Sequence, residues 1–220
     1  IAPWTGYAVL VMSKTGKRRV EVGPATVLLD YDESLEVLAL STGVPKSRAR
    51  VIETPYLRIA GNRVADRVEV ETLDHVRLEV DLAYRIDFEG DPLRWFAVAD
   101  YVQLACDQVR SLLKGHARGR KVEELYATAA EQLREVVLGA AVDGVRPGLA
   151  FPVNGMRVID VEVDRVALGD AAIKALLEEA QHQVALTGHT GKRVEAEVAL
   201  AVADEAVLYI QPELAGAPRA

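Results

Sequence analysis

Every second residue from position 76 to 88 is apolar. Val76, Leu78, Val80, Leu82, Tyr84, Ile86 and Phe88 alternate with Arg77, Glu79, Asp81, Ala83, Arg85 and Asp87. Side chains on a strand alternate between faces, so this pattern predicts a long strand with one apolar and one charged face. The period then changes. Asp91-Pro92 predicts a helix start, and Val98, Tyr101, Val102, Ala105, Val109, Leu112 and Leu113 follow at helical spacing, with Gly115 and Gly119 marking the end. Val122, Leu125, Tyr126, Ala129, Leu133 and Val136 form a second apolar stripe, ended by Gly139. Residues 143–148 are turn-rich. Ile159, Val161 and Val163 alternate with Asp160, Glu162 and Asp164, the pattern of another half-buried strand. Asp170 then caps a helix bearing Ile173, Leu176, Leu177, Ala180 and Val184. Strands with helices packed on one side predict an α+β domain.

The first sixty or so residues carry a different pattern, with short β segments separated by turn chemistry. Residues 7–12 and 18–22 flank Ser13-Lys14-Thr15-Gly16-Lys17, a hairpin loop with Gly where positive φ is needed. Gly23-Pro24 is a turn, and residues 26–29 and 35–40 are expected to be strands around Asp30-Tyr31-Asp32-Glu33-Ser34. Thr42-Gly43-Val44-Pro45-Lys46-Ser47 is a loop. Residues 48–59 supply further strand, with Pro55 confining it to an edge or bulge. Gly61-Asn62 joins this antiparallel unit to the α+β domain. The expected division is therefore a β module at 1–62, an α+β domain at 63–169 and a C-terminal helical segment with a tail at 170–220. In that last part Gly188 and Gly191 interrupt the helical pattern, each costing about 1 kcal/mol relative to Ala.

Composition narrows the function classes. The 220 residues are 50% hydrophobic and 27% charged, a globular balance able to bury a substantial core. A formal charge of −7 argues against a dedicated nucleic-acid binder, which needs positive surface to replace counterions. A single cysteine, Cys106, excludes an internal disulfide and suits a reducing, cytoplasmic compartment. No stretch reaches the roughly 20 apolar residues that span a bilayer. The chain begins at Ile1, so a fragment with an upstream anchor or signal is an open expectation.

Catalytic chemistry finds little support. Gly188-His189-Thr190-Gly191-Lys192 has two residues between its glycines where a phosphate loop needs four, and Arg193 stands where a hydroxyl should meet magnesium. Gly115-His116-Ala117-Arg118-Gly119 follows a helix, unlike a dinucleotide loop. His75, His116, His182 and His189 lack ligand spacing. Cys106 lies on an apolar stripe with no His beside it, which favours a packed side chain over a nucleophile. Asp30, Asp32 and Glu33 lack the Gly and downstream Glu of a calcium loop. Asp160, Glu162 and Asp164 fit a solvated strand face, or one neutralised by a partner's Arg, better than an acid–base pair. The basic run Arg110, Lys114, His116, Arg118, Arg120 and Lys121 suits the negative end of a helix dipole. No catalytic residue, metal ligand or cofactor site is assigned.

Several short runs nevertheless form a recognisable series. Glu71-Thr72-Leu73-Asp74-His75-Val76-Arg77-Leu78, Leu82-Ala83-Tyr84, Phe88-Glu89, Trp95-Phe96-Ala97-Val98, Phe151-Pro152-Val153-Asn154-Gly155-Met156 and Ala171-Ala172-Ile173-Lys174-Ala175-Leu176 resemble, in order and spacing, the shoulder domain of the major vault protein family. The likeness covers about residues 65–185, and that domain is placed in the stomatin–prohibitin–flotillin (SPFH, band 7) superfamily. The antiparallel unit with Val22-Gly23-Pro24 is similar to the β repeats of the vault wall. The resemblance implies an SPFH-like fold and a non-enzymatic protein that assembles side by side into a closed shell or ring. Its partners would be other copies of itself and a cargo inside. Self-association is then expected on the helix at 170–186, through Ile173, Leu177, Ala180, Val184 and Leu186. The alternative is a membrane-associated SPFH scaffold with its anchor upstream; a hydrolase would rest on scattered carboxylates alone.

Overall fold

The computed structural model describes residues 1–169. The chain opens with the expected hairpin, β1 (Tyr7–Ser13) and β2 (Arg18–Val22), in register from Ala8↔Val22 to Met12↔Arg18. Gly16 turns it with φ +85°, a left-handed conformation that side chains disfavour. Residues 26–29 are not a strand. They run alongside the N-terminus, where the Val27 and Ala25 amides donate to the Ile1 and Pro3 carbonyls. The stretch at 35–40 divides into β3 (Glu33–Leu35), paired with β1, and β4 (Leu38–Thr42). β4 forms a two-stranded ribbon with β5 (Ser47–Thr54), joined by the loop expected at 42–47. Beyond Pro55, β6 (Leu57–Arg58) returns to β1.

The second half is built on β7 (Asn62–Glu71) and β8 (Arg77–Phe88), which form a hairpin of unbroken register from Asn62↔Ile86 to Glu71↔Arg77. Leu78, Val80, Leu82, Tyr84, Ile86 and Phe88 are all buried, as the alternation predicts. The tip is pinned: the Leu73 amide donates to the Arg120 carbonyl, and the Asp74 carboxylate accepts from the Val122 amide at 3.2 Å.

The helical stretch after Asp91 is two helices, not one. α1 (Pro92–Trp95) is a single turn capped by Asp91, whose side chain accepts from the Leu93 amide. α2 (Tyr101–Ala117) restarts at Asp100, runs through Gly115 and leaves Val98 outside the helix. The next stripe is also interrupted, at Thr128, between α3 (Val122–Ala127) and α4 (Ala129–Leu138). Short β9 (Leu149–Phe151) leads through Asn154-Gly155 into β10 (Met156–Leu168). Gly155 has φ +67°, and a Cβ there would lie 2.3 Å from the Glu89 carbonyl oxygen, so this turn admits only glycine.

The resulting sheet has the order β7-β8-β10-β9, all neighbours antiparallel. Helices cover one face, with α2 against β7 and α4 against β10. β10 breaks the expected alternation. A register shift between Val158 and Asp160 buries Val158 and Val161 and turns Ile159 outward, against the half-buried place its spacing suggested. One apolar cluster runs through both halves of the chain: Ala8, Leu10, Leu38 and Leu57 join Tyr84, Ile86, Tyr101 and Val109. Among the described residues no helix is long and apolar enough to cross a membrane.

Leu82 is 1% exposed, whereas Asp81 is on the charged face paired with Arg67 and Arg165. Leu82→Asp should therefore unfold the domain, because an unpaired buried charge costs several kcal/mol. Asp81→Asn should lower stability by no more than about 1 kcal/mol. Thermal melts followed by circular dichroism read both, and equal losses would mean the strand faces are reversed.

Candidate functional site

An acidic residue occupies an inward position of β7, in the row Val64, Asp66, Val68, Val70. The Asp66 side chain is fully buried and accepts from Arg110 Nε at 2.8 Å, Arg110 Nη2 at 2.6 Å, the Lys46 amide at 2.9 Å and the Tyr84 hydroxyl at 3.3 Å. Arg110 also donates to the Lys46 carbonyl at 2.9 Å. A buried carboxylate is tolerated only when paired and hydrogen-bonded, and here that requirement ties β7, β8, α2 and the β4–β5 loop together. Arg110 is thus no member of a surface basic run; it is the counter-ion of the core. Burial, with the Asp66 charge adding to it, pushes both the Tyr84 hydroxyl and the Cys106 thiol well above their ordinary values. Cys106 is 0% exposed and protonated at neutral pH, which suits packing and removes the thiolate a nucleophile needs.

A second polar joint lies at the N-terminus of the same helix, nearly three turns from Arg110. Asp100 caps α2 through its acceptor bond from the Gln103 amide, and the same carboxylate accepts from the Ser41 hydroxyl at 2.6 Å and the Ser41 amide at 3.2 Å. Both joints link the β module to the α+β domain, and both were missed by local sequence reading. A charge inside an apolar alternating row was the available signal for Asp66.

The outer face of the sheet carries the charges that alternation put there. Arg63 reaches Glu162 at 2.9 Å and Asp164 at 4.0 Å; Arg85 lies 3.9 Å from Asp160 and 3.8 Å from Glu162. Arg67 and Arg165 both bond the Asp81 carboxylate. The β10 carboxylates Asp160, Glu162 and Asp164 are therefore met by arginines of the same chain. The depression between Arg63, Arg85, Asp160 and Glu162 has a volume of only about 10 Å³, room for one water at most. A wider, open depression of about 510 Å³, lined by Ala2, Pro3, Trp4, Thr5, Pro24, Ala25 and Thr26, offers no ionisable side chain.

The remaining sequence candidates are dispersed. His75, at the hairpin tip with φ +61°, bonds Glu71 at 2.8 Å, and His116 bonds Gln132 at 3.1 Å. Glu33 is held by Arg19 at 2.8 Å, and hydrogen bonding from that guanidinium keeps its carboxyl below the usual range. Among the described residues no cluster of three His, Cys, Asp or Glu side chains is placed to hold a metal ion. His182, His189, Lys192 and the self-association residues Ile173, Leu177, Ala180, Val184 and Leu186 lie outside the described residues.

Arg110→Met should destabilise the fold by about 3–5 kcal/mol, because it leaves Asp66 buried without its counter-ion. The double change Asp66→Asn with Arg110→Met should recover much of that loss in a denaturant titration. The surface pair gives a pH signature. Hydrogen bonding by Arg67, and then by Arg165, holds the Asp81 carboxyl below its ordinary value. A carboxylate whose folded value lies below its unfolded one contributes stability above the unfolded value and loses it as pH falls through the folded one. Acidification should therefore lower the Tm of the unmodified protein more steeply than that of Asp81→Asn.

Comparison with known proteins finds two family matches along the chain. The family described as the shoulder domain of the major vault protein matches residues 60–170, just over half of the chain, and the Major Vault Protein Repeat domain matches residues 8–58. The major vault protein of Diplobatis ommata is 34% identical over 168 residues, covering 73% of this chain and 20% of its own length. That of Mus musculus is 31% identical over 218 residues, covering 86% and 25%. Major vault protein alpha of Dictyostelium discoideum is 28% identical over 210 residues, covering 88% and 25%. The chain thus spans a fifth to a quarter of the length of these relatives. A β repeat at 8–58 followed after one intervening residue by a shoulder domain at 60–170 makes this chain a member of the major vault protein family.

Proposed function

We propose that this chain is a non-enzymatic structural unit that assembles side by side with its own copies into a closed shell similar to a vault particle. The observation that carries the reading is the uninterrupted order of vault repeat and shoulder domain, shared with relatives named major vault protein. The division is a repeat at 1–62, a shoulder at 63–169 and an associating segment at 170–220. In this reading the shoulder has the SPFH-like architecture, an antiparallel sheet with helices on one side. The particle resides in the cytoplasm, encloses cargo and needs neither a cofactor nor direct nucleic-acid binding. Repeated identical contacts that return on themselves close into rings, which is how one chain can build a wall.

The segment at 170–186 is the proposed site of self-association, through Ile173, Leu177, Ala180, Val184 and Leu186. A helix this short is marginal alone in water and gains stability from packing partners. Val184→Lys with Leu186→Lys in the full-length protein should reduce particle mass by light scattering while circular dichroism stays unchanged. Unchanged mass would move the lateral contact elsewhere. Hydrolase or nucleotide turnover abolished by Lys192→Ala or Cys106→Ala would overturn the structural role altogether.

A further inference from the structure

β1 is buried on both faces, and the two faces belong to different surroundings. Ala8 and Leu10 point into the large core with Leu38 of β4, whereas Val9 and Val11 form a small separate cluster with Val27 and the half-buried Leu35. Alternation along one strand therefore puts the β4–β5 ribbon and the segment 27–35 on opposite sides of the module. Each side leaves apolar side chains in solvent. On the ribbon, every residue from Arg48 to Glu53 is exposed, including Val51 at 49% and Ile52 at 56%. On the other side Leu28 is 83% and Tyr31 98% exposed, the latter touched by the Lys14 ammonium at 5.3 Å from its ring.

The flanking charges are opposite in sign. Arg48 and Arg50 share the strand face of Ile52, with Val51 and Glu53 on the other; Asp30 and Asp32 border Tyr31. Among the described residues Arg50, Asp30 and Asp32 make no ion pair, and Arg48 has only an exposed one, 3.5 Å from Asp107. This contrasts with the sheet face of the shoulder, where arginines and carboxylates are paired within the chain. A two-stranded ribbon is marginal by itself, and exposed apolar surface ringed by charge marks an interaction site. Two different complementary patches on opposite sides of one module are what a head-to-tail ring contact requires.

We propose that the β4–β5 ribbon of one copy docks on the segment 28–32 of the next copy. Ile52, on the strand face it shares with Arg48 and Arg50, packs on Leu28 and Tyr31, while the two arginines face Asp30 and Asp32. This rests on the side-by-side assembly proposed above and assigns one of its contacts.

Charge reversal in the full-length protein tests it. Arg48→Glu with Arg50→Glu makes both patches acidic, and Asp30→Lys with Asp32→Lys makes both basic, so each variant alone repels itself. Light scattering at physiological salt should show particles lost in each, with unchanged circular dichroism. An equimolar mixture should restore them, because every junction in an alternating ring is then attractive. Retained particles in either variant, or a mixture that fails to assemble, overturns the contact. A fall in melting temperature of the unassembled variants beyond the small loss expected from the exposed Arg48–Asp107 pair also overturns it, assigning the patches to neighbouring segments of the same chain. If the unmodified protein forms no particles, the assembly reading itself fails, and that control separates the two.

Discussion

The Asp66 carboxylate is the constraint around which the two halves of the chain are arranged. It has no access to solvent, so its charge must be met entirely by protein groups. Those groups come from α2 through Arg110, from β8 through Tyr84 and from the β4–β5 loop through the Lys46 amide. None is near Asp66 in sequence, and each becomes available only once its own element has formed. Forming the ion pair therefore requires the sheet, the helix above it and the preceding repeat to be in place together. The apolar cluster supplies most of the driving force across this boundary, but apolar contact has little directional preference. The buried charge adds direction, since a small rotation of the repeat would strand it.

The parts of the fold legible in the sequence were those whose signal is local. β8 follows from alternation alone, and the paired neighbour adds nothing to that reading. The break between α1 and α2 was hidden because Asp100, its cause, acts as a cap while also binding Ser41, a partner fifty-nine positions upstream. Residues 26–29 have strand-like composition, yet their amides are satisfied by the first residues of the chain, outside a regular ladder. Ile159 was misplaced by a bulge, and periodicity alone cannot anticipate a bulge because it shifts the face of every residue beyond it.

The candidate site was not legible in local spacing. The failed phosphate loop, scattered histidines and isolated thiol are readable as spacings. The Asp66–Arg110 pair and the Ser41–Asp100 joint are not, because a carboxylate in an apolar row announces the need for a partner without naming it. The acidic strand of β10 reads in sequence as a solvated face or one met by a partner's Arg; its arginines, Arg63 and Arg85, come from two strands of the same chain and are visible only in the folded register.

The loop of the repeat meets the shoulder's charges with its main chain. Asp66 receives the amide of Lys46, Arg110 is met by the carbonyl of the same residue, and Asp100 takes the amide of Ser41 alongside its hydroxyl. Peptide groups are identical whatever side chain they bear. Sequence drift at position 46 is therefore invisible to this joint so long as the loop keeps its path. The shoulder, by contrast, must keep its aspartates and its arginine. Divergence between relatives should fall unevenly across the seam, with the repeat free to vary its loop chemistry while the docking surface beneath it stays fixed.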